Sequence, residues 1–147
     1  MAGASTVDVS GTMPAGWFDK TMIVYSAPLQ AGQAVTANIV IARDSQGASE
    51  TFREYCNRQI DGFNTALPHF HRIQEGPGRV HDFDALQIEF TWMSGAGLLR
   101  QRVFFVSAGE GVVVTFTATA NDADFDDHRA TFDQGLAGLV IIPKQRH

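Results

Sequence analysis

Along the chain, apolar and polar positions alternate with a period of two, shift to a period of three to four, return to two, and shift once more. The first period belongs to strands with two distinct faces, the second to amphipathic helices. Residues 5–10 make a short strand candidate. Met13-Pro14-Ala15-Gly16 reads as a turn. A β-rich run over 20–27 is ended by Pro28, and a second over 34–43 is ended by Asp44-Ser45-Gln46-Gly47. From Ser49 onward, Phe52, Tyr55, Cys56, Ile60, Phe63 and Leu67 recur at helical spacing. Ser49 is placed to cap that helix, and Pro68 to stop it.

Strands return after Pro68. One is expected over 69–75, turned by Gly76-Pro77-Gly78. The next, 84–93, alternates cleanly: Leu86, Ile88, Phe90 and Trp92 on one face, Gln87, Glu89 and Thr91 on the other. Ser94-Gly95-Ala96-Gly97 reads as a hairpin turn, followed by strands over 98–107 and 112–120 joined through Gly109-Glu110-Gly111. A second helix is expected from about Asp122 to Leu139, capped by Asn121 or Asp122, with Phe125, Phe132, Leu136 and Leu139 as its stripe. Acids crowd its first turns, where the helix dipole favours them. Strands, helix, strands, helix predicts an α+β domain: an antiparallel β-sheet with two main helices packed on one face.

A sheet covered on one side should alternate apolar with polar residues. Several strands here are apolar on both faces. Met22 and Val24 oppose Ile23 and Tyr25; Val40 opposes Ile39 and Ile41; Phe104 and Val106 oppose Val103 and Phe105. Two helices are few for a wide sheet, so a partner or dimer surface is the expected destination of the second apolar face.

Composition narrows the function. A length of 147 residues fits one soluble domain, residues 1–147, and 44% apolar content fits a packed core. The net charge of −5 is spread along the chain, which disfavours nucleic acid and anionic membranes. Arg100 and Arg102 come nearest to a basic patch and read as isolated. The N-terminal residues lack a basic start and an apolar run, and no window approaches a membrane span, so a cytoplasmic location is expected.

Chemistry-bearing motifs are weak. His69 and His71 share a face at a spacing that can serve zinc, but no third ligand of suitable spacing follows, so solvated strand histidines are expected and no metal. The acids over 121–128 resemble a calcium loop without its central glycine and distal glutamate; the helix dipole accounts for them. No phosphate-binding glycine loop or nucleophile elbow is present. Cys56, the single cysteine, falls on the apolar stripe of the first helix and reads as a packed core residue. Neither a catalytic residue nor a cofactor is expected.

An ordered series of short strings carries a resemblance. Residues 14–21, Pro-Ala-Gly-Trp-Phe-Asp-Lys-Thr, resemble the opening of DcrB-like proteins, and 37–44, Ala-Asn-Ile-Val-Ile-Ala-Arg-Asp, one of their strands. Phe52, Tyr55, Arg58, Gln59 and Leu67-Pro68-His69-Phe70 are similar to their helix and its exit. Trp92, Leu99-Arg100-Gln101, Thr117-Ala118-Thr119 and His128 complete the register. Within that family the chain most resembles the effector-associated chaperones of type VI secretion. That resemblance implies a PsbP-like fold, a cytoplasmic homodimer, and a client: a secreted effector carrying a PAAR domain, whose N-terminal transmembrane helices the chaperone shields. It places Met22, Val24 and Val40 on the gripping face, with Gln59 and, in one of two possible registers, Gln101 hydrogen-bonding the client. The absence of a lipobox cysteine favours the cytoplasmic branch over the envelope lipoprotein. The alternatives are a PsbP-like module with another partner, and a small hydrolase or isomerase, for which no convergent ionisable pocket can be assembled.

Overall fold

The computed structural model describes residues 9–28 and 35–142. Its elements are β1 (Met22–Ser26), β2 (Asn38–Ser45), α1 (Phe52–Ala66), β3 (His71–Val80), β4 (Phe83–Ser94), β5 (Gly97–Gly109), β6 (Val112–Asn121) and α2 (Phe125–Ala137). The strands form one six-stranded sheet in the order β1-β2-β6-β5-β4-β3, and every neighbouring pair is antiparallel. The α+β class and the antiparallel sheet are as expected. The strand expected over 5–10 falls on residues outside the described ones, apart from positions 9 and 10, which belong to no strand.

The helices lie on opposite faces of the sheet, not on one. Val103 and Phe105 of β5 pack with Tyr55, Cys56 and Ile60 of α1, while Phe104 and Val106 pack with Phe125 and Phe132 of α2. Alternate residues of a strand point to opposite faces, so two helices on two faces satisfy strands that are apolar on both. The doubly apolar central strands are therefore covered within the fold. On the α1 side the β2–β1 end extends beyond the helix, and β1 is exposed on both faces.

Local chemistry moves several boundaries. Thr51, not Ser49, caps α1. Its hydroxyl accepts from the Glu54 amide at 3.1 Å, and the Glu54 carboxylate accepts from the Thr51 amide at 3.0 Å. This reciprocal box satisfies two otherwise free donors. Thr51→Ala should lower stability by about 1 kcal/mol in urea unfolding without changing the slope. Asp124 stands at the start of α2 without a side-chain cap bond, so neither Asn121 nor Asp122 fills that role.

Gly76-Pro77-Gly78 is not a turn. It lies inside β3, where Pro77 pairs with Leu86. An edge strand tolerates proline because the missing donor can face solvent. The reversal comes instead at His81-Asp82, between the paired Val80 and Phe83. The β5–β6 hairpin closes through Glu110 and Gly111, both with positive φ (56° and 76°), as a two-residue turn matching the strand twist requires.

Candidate functional site

On the α1 side of the sheet, α1 covers β4 and β5. Tyr55 meets Phe105 edge-on at 6.0 Å, and Phe63 lies 5.1 Å from Phe90. The same face continues across β6, β2 and β1; apart from the end where Val113 joins the α1 cluster and Tyr55 reaches Asp44, no helix among the described residues lies above it. Cross-strand register places its floor: Val40 is opposite both Val24 and Thr117, and Ala42 is opposite Met22 and Thr115. Met22 and Val24 are 60% and 55% exposed, and Val40, Ala42, Thr115 and Thr117 are half-buried. Three of the expected residues, Met22, Val24 and Val40, are thus brought together on an open apolar floor.

Gln101 shares this face, opposite Thr119. Its Oε1 accepts from the Trp92 indole N–H at 2.7 Å, and its Nε2 donates to the Thr119 hydroxyl at 2.8 Å. One amide hydrogen and one lone pair remain for another group. Gln59 is half-buried on α1. Its flank of the helix follows from its neighbours. Tyr55, one turn earlier, donates its hydroxyl to Asp44 of β2 at 2.7 Å, whereas Arg53 on the other flank reaches Glu75 of β3. Gln59 therefore stands on the side of α1 that borders the open floor.

The Tyr55–Asp44 bond closes one end of this surface. Burial, reinforced by the Asp44 carboxylate, pushes the Tyr55 phenol above its ordinary value and keeps it a donor. Arg58 lies over the Tyr55 ring at 5.2 Å and binds the Glu50 carboxylate through two nitrogens. That pairing, with the Gly47 amide, holds Glu50 down at about 2. The hydroxyl row Thr115, Thr117 and Thr119 is part of the floor that the residue reading did not pick out. Its signal was the strict alternation with Phe116, Ala118 and Ala120, which puts the hydroxyls on one shared face; their pairing with Phe105 and Val103 makes it the α1 face.

With Met22 and Val24 on the gripping face, alternation puts Ile23 and Tyr25 on the opposite face, expected as helix-covered core; the structure corrects this at β1. Ile23 and Tyr25 point to the α2 side but are 48% and 61% exposed, so they are not covered core. Ile23 borders an apolar groove of about 720 Å³ together with Ile41, Val114 and the segment 139–142. His69 does not share a strand face with His71. It sits in the α1–β3 connection with φ of 55°. Among the described residues no group of three or more His, Cys, Asp or Glu is arranged to hold a metal ion. Cys56 is fully buried, and burial pushes its thiol up to about 11, as befits a packed core residue.

The DcrB family profile matches residues 11–138. The chain belongs to the DcrB family. Solved structures similar to it include PA94 of Pseudomonas aeruginosa, a protein of unknown function, at 24% identity and TM-score 0.78, with 90% of each chain covered. LpqN of Mycobacterium tuberculosis, involved in cell envelope biogenesis, aligns at 14% identity and TM-score 0.54 over 78% of this chain and 82% of its own. The cyanobacterial PsbP (CyanoP) of Synechocystis sp. PCC 6803 aligns at 10% identity and TM-score 0.50 over 84% and 94%. These likenesses establish a PsbP-like fold. Comparison with curated protein sequences gives no match. Among the described residues no helix is long and apolar enough to cross a membrane.

Proposed function

We propose that this DcrB-family chain is a chaperone or adaptor that holds an apolar helical segment of another protein on the open α1-side floor of its sheet. In its fullest form, the client is the N-terminal transmembrane-helix region of a PAAR-containing type VI secretion effector, and the chaperone is a cytoplasmic homodimer without catalytic activity. The observation that carries the reading is the juxtaposition of Met22, Val24, Val40 and Ala42 on a part of the sheet face that no helix among the described residues covers. The resemblance of the chain's strings to effector-associated chaperones supplies the kind of client.

The physics suits such a client. Covering ~1,000 Å² of apolar helix is worth about 25 kcal/mol gross, most of it offset by the ordering that association demands. The floor pairs an apolar side, from β1 and β2, with a hydroxyl row on β6 and the amides of Gln59 and Gln101. A helix with small polar residues among its apolar ones can satisfy both. Met22, flexible and polarisable, accommodates varied shapes.

Co-expression with an effector encoded beside it, carrying N-terminal transmembrane helices and a PAAR domain, tests the reading. The chain should co-purify with the effector and raise its soluble yield, and deleting the effector's helices should end both effects. Equal capture of an effector without those helices would refute the proposed client region.

A further inference from the structure

The sheet has two edges among the described residues, and they are built differently. β3 is guarded. It carries Arg72, Glu75 and Arg79, an internal proline at Pro77, and a register shift between Arg72 and Gln74 that bulges the strand at Ile73. Charges, proline and bulges are the devices that stop an edge from pairing with another chain. β1, Met-Ile-Val-Tyr-Ser, has none of them. It is unbulged and uncharged, and all five residues are exposed. We propose that β1 is the edge through which two copies of this chain pair, antiparallel about a two-fold axis at Val24, joining their sheets into one.

The register follows from hydrogen-bond parity. The Ala27 amide donates to the Ala37 carbonyl of the β2 side at 2.8 Å. In an antiparallel ladder the residues that bond a given neighbour alternate. Tyr25 and Ile23 therefore turn their backbone groups towards β2, and Met22, Val24 and Ser26 turn theirs outward. A two-fold axis normal to a continuous sheet keeps each face on its own side, so it must pass through a residue, not between two. Centring it on Val24 engages the whole strand. Val24 then bonds the partner subunit's Val24 reciprocally, and Met22 bonds the partner subunit's Ser26. On the α2 side, Ile23 stands opposite the partner subunit's Tyr25, an aromatic–β-branched pair of the kind that stabilises sheets.

A five-residue ladder alone falls short of the roughly 800 Å² per partner of a specific interface. The apolar groove bordered by Ile23, Ile41, Val140 and Ile142 lies at the same edge, with Val140 and Ile142 75% and 82% exposed. Tyr25 of the partner subunit, placed opposite Ile23, arrives beside that groove. On the α1 side the same pairing sets Val24 of the two copies side by side, with Met22 of each diagonal to Val24 of the partner subunit, so the client floor is complete only in the dimer. The interface refines the homodimer of the proposed function but does not depend on the client's identity.

Sedimentation at tens of micromolar and cysteine pairing test the interface. The wild-type chain should sediment at twice its monomer mass. Val24→Cys should form a covalent dimer on mild oxidation, and Gln74→Cys, on the guarded edge, should not; native Cys56 is buried and stays out of the reaction. Ser26→Pro removes an outward amide while sparing the gripping side chains, and should raise the dimer dissociation constant at least tenfold. A wild-type monomer at that concentration overturns the interface, as does crosslinking at Gln74 instead of Val24. If Ser26→Pro fails to fold by circular dichroism, the cysteine pair still decides. A wild-type chain that sediments as a dimer but captures no effector would leave the interface standing and refute the client.

Discussion

Glu89→Ala should cost about 3–5 kcal/mol of stability, the range for removing one partner from a buried ion pair. Glu89 is 3% exposed. Its two oxygens accept from the two Arg129 terminal nitrogens at 3.1 and 3.2 Å, and Arg100 Nε lies 3.5 Å from Oε2. Arg102, itself buried, sits opposite Glu89 in the ladder and reaches Asp133 of α2. Arg129 and Arg100 also lie over the Phe125 ring, at 5.0 and 5.6 Å. Without Glu89, cations desolvated against α2 lose their central counter-charge, and a void opens beneath the helix. Urea unfolding should show the midpoint fall, with a smaller fall for Arg129→Ala, because Arg129 is a third exposed and Glu89 keeps Arg100. A loss below about 1 kcal/mol for Glu89→Ala would mean that apolar packing alone seats α2.

This network marks where sequence reasoning stops. Gln87, Glu89 and Thr91 alternate with apolar neighbours, and that pattern reads as a solvated face. The face is instead covered along part of its width by α2, and Glu89 is buried there. Arg100 and Arg102 read as isolated cations, yet their partners Asp122, Asp126 and Asp133 come from the α2 region. A separation of 40 residues between Glu89 and Arg129 leaves no local signal. What was legible is what periodicity carries: the strands of the β4–β6 meander, both helices, and the shared face of Met22, Val24 and Val40. Periodicity says which residues share a face, but not which face a helix covers. That is why the helices were expected on one side and Ile23 in the core. The turn misplaced at Gly76-Pro77-Gly78 has the same root, because glycine and proline mark an edge strand as readily as a reversal.

Val40→Glu should abolish capture of an apolar client while leaving the fold and the β1 edge in place. Val40 lies on the α1-side floor, half-buried, one strand in from the edge, with Val24 and Thr117 on either side. In the free protein its carboxylate can reach water. Beneath an apolar helix it must be desolvated without a partner, at about 2–4 kcal/mol, a thirty- to thousandfold loss of affinity. The neighbouring Ile39→Glu is the control. Ile39 is 8% exposed on the α2 side, so close under that helix that a Cβ at Gly135 would stand 2.8 Å from its Cδ1. A carboxylate there should unfold the chain or lower its stability by several kcal/mol, within the range for an unpaired buried charge. Urea melts of both variants, with co-expression of the candidate effector, read out the two faces separately. A folded Val40→Glu chain that still captures the effector would move the client off this floor. A tolerated Ile39→Glu would show that α2 does not seal its side of the sheet. Capture lost in Val40→Glu, with sedimentation unchanged from wild type, separates the grip on the client from the pairing of the two copies.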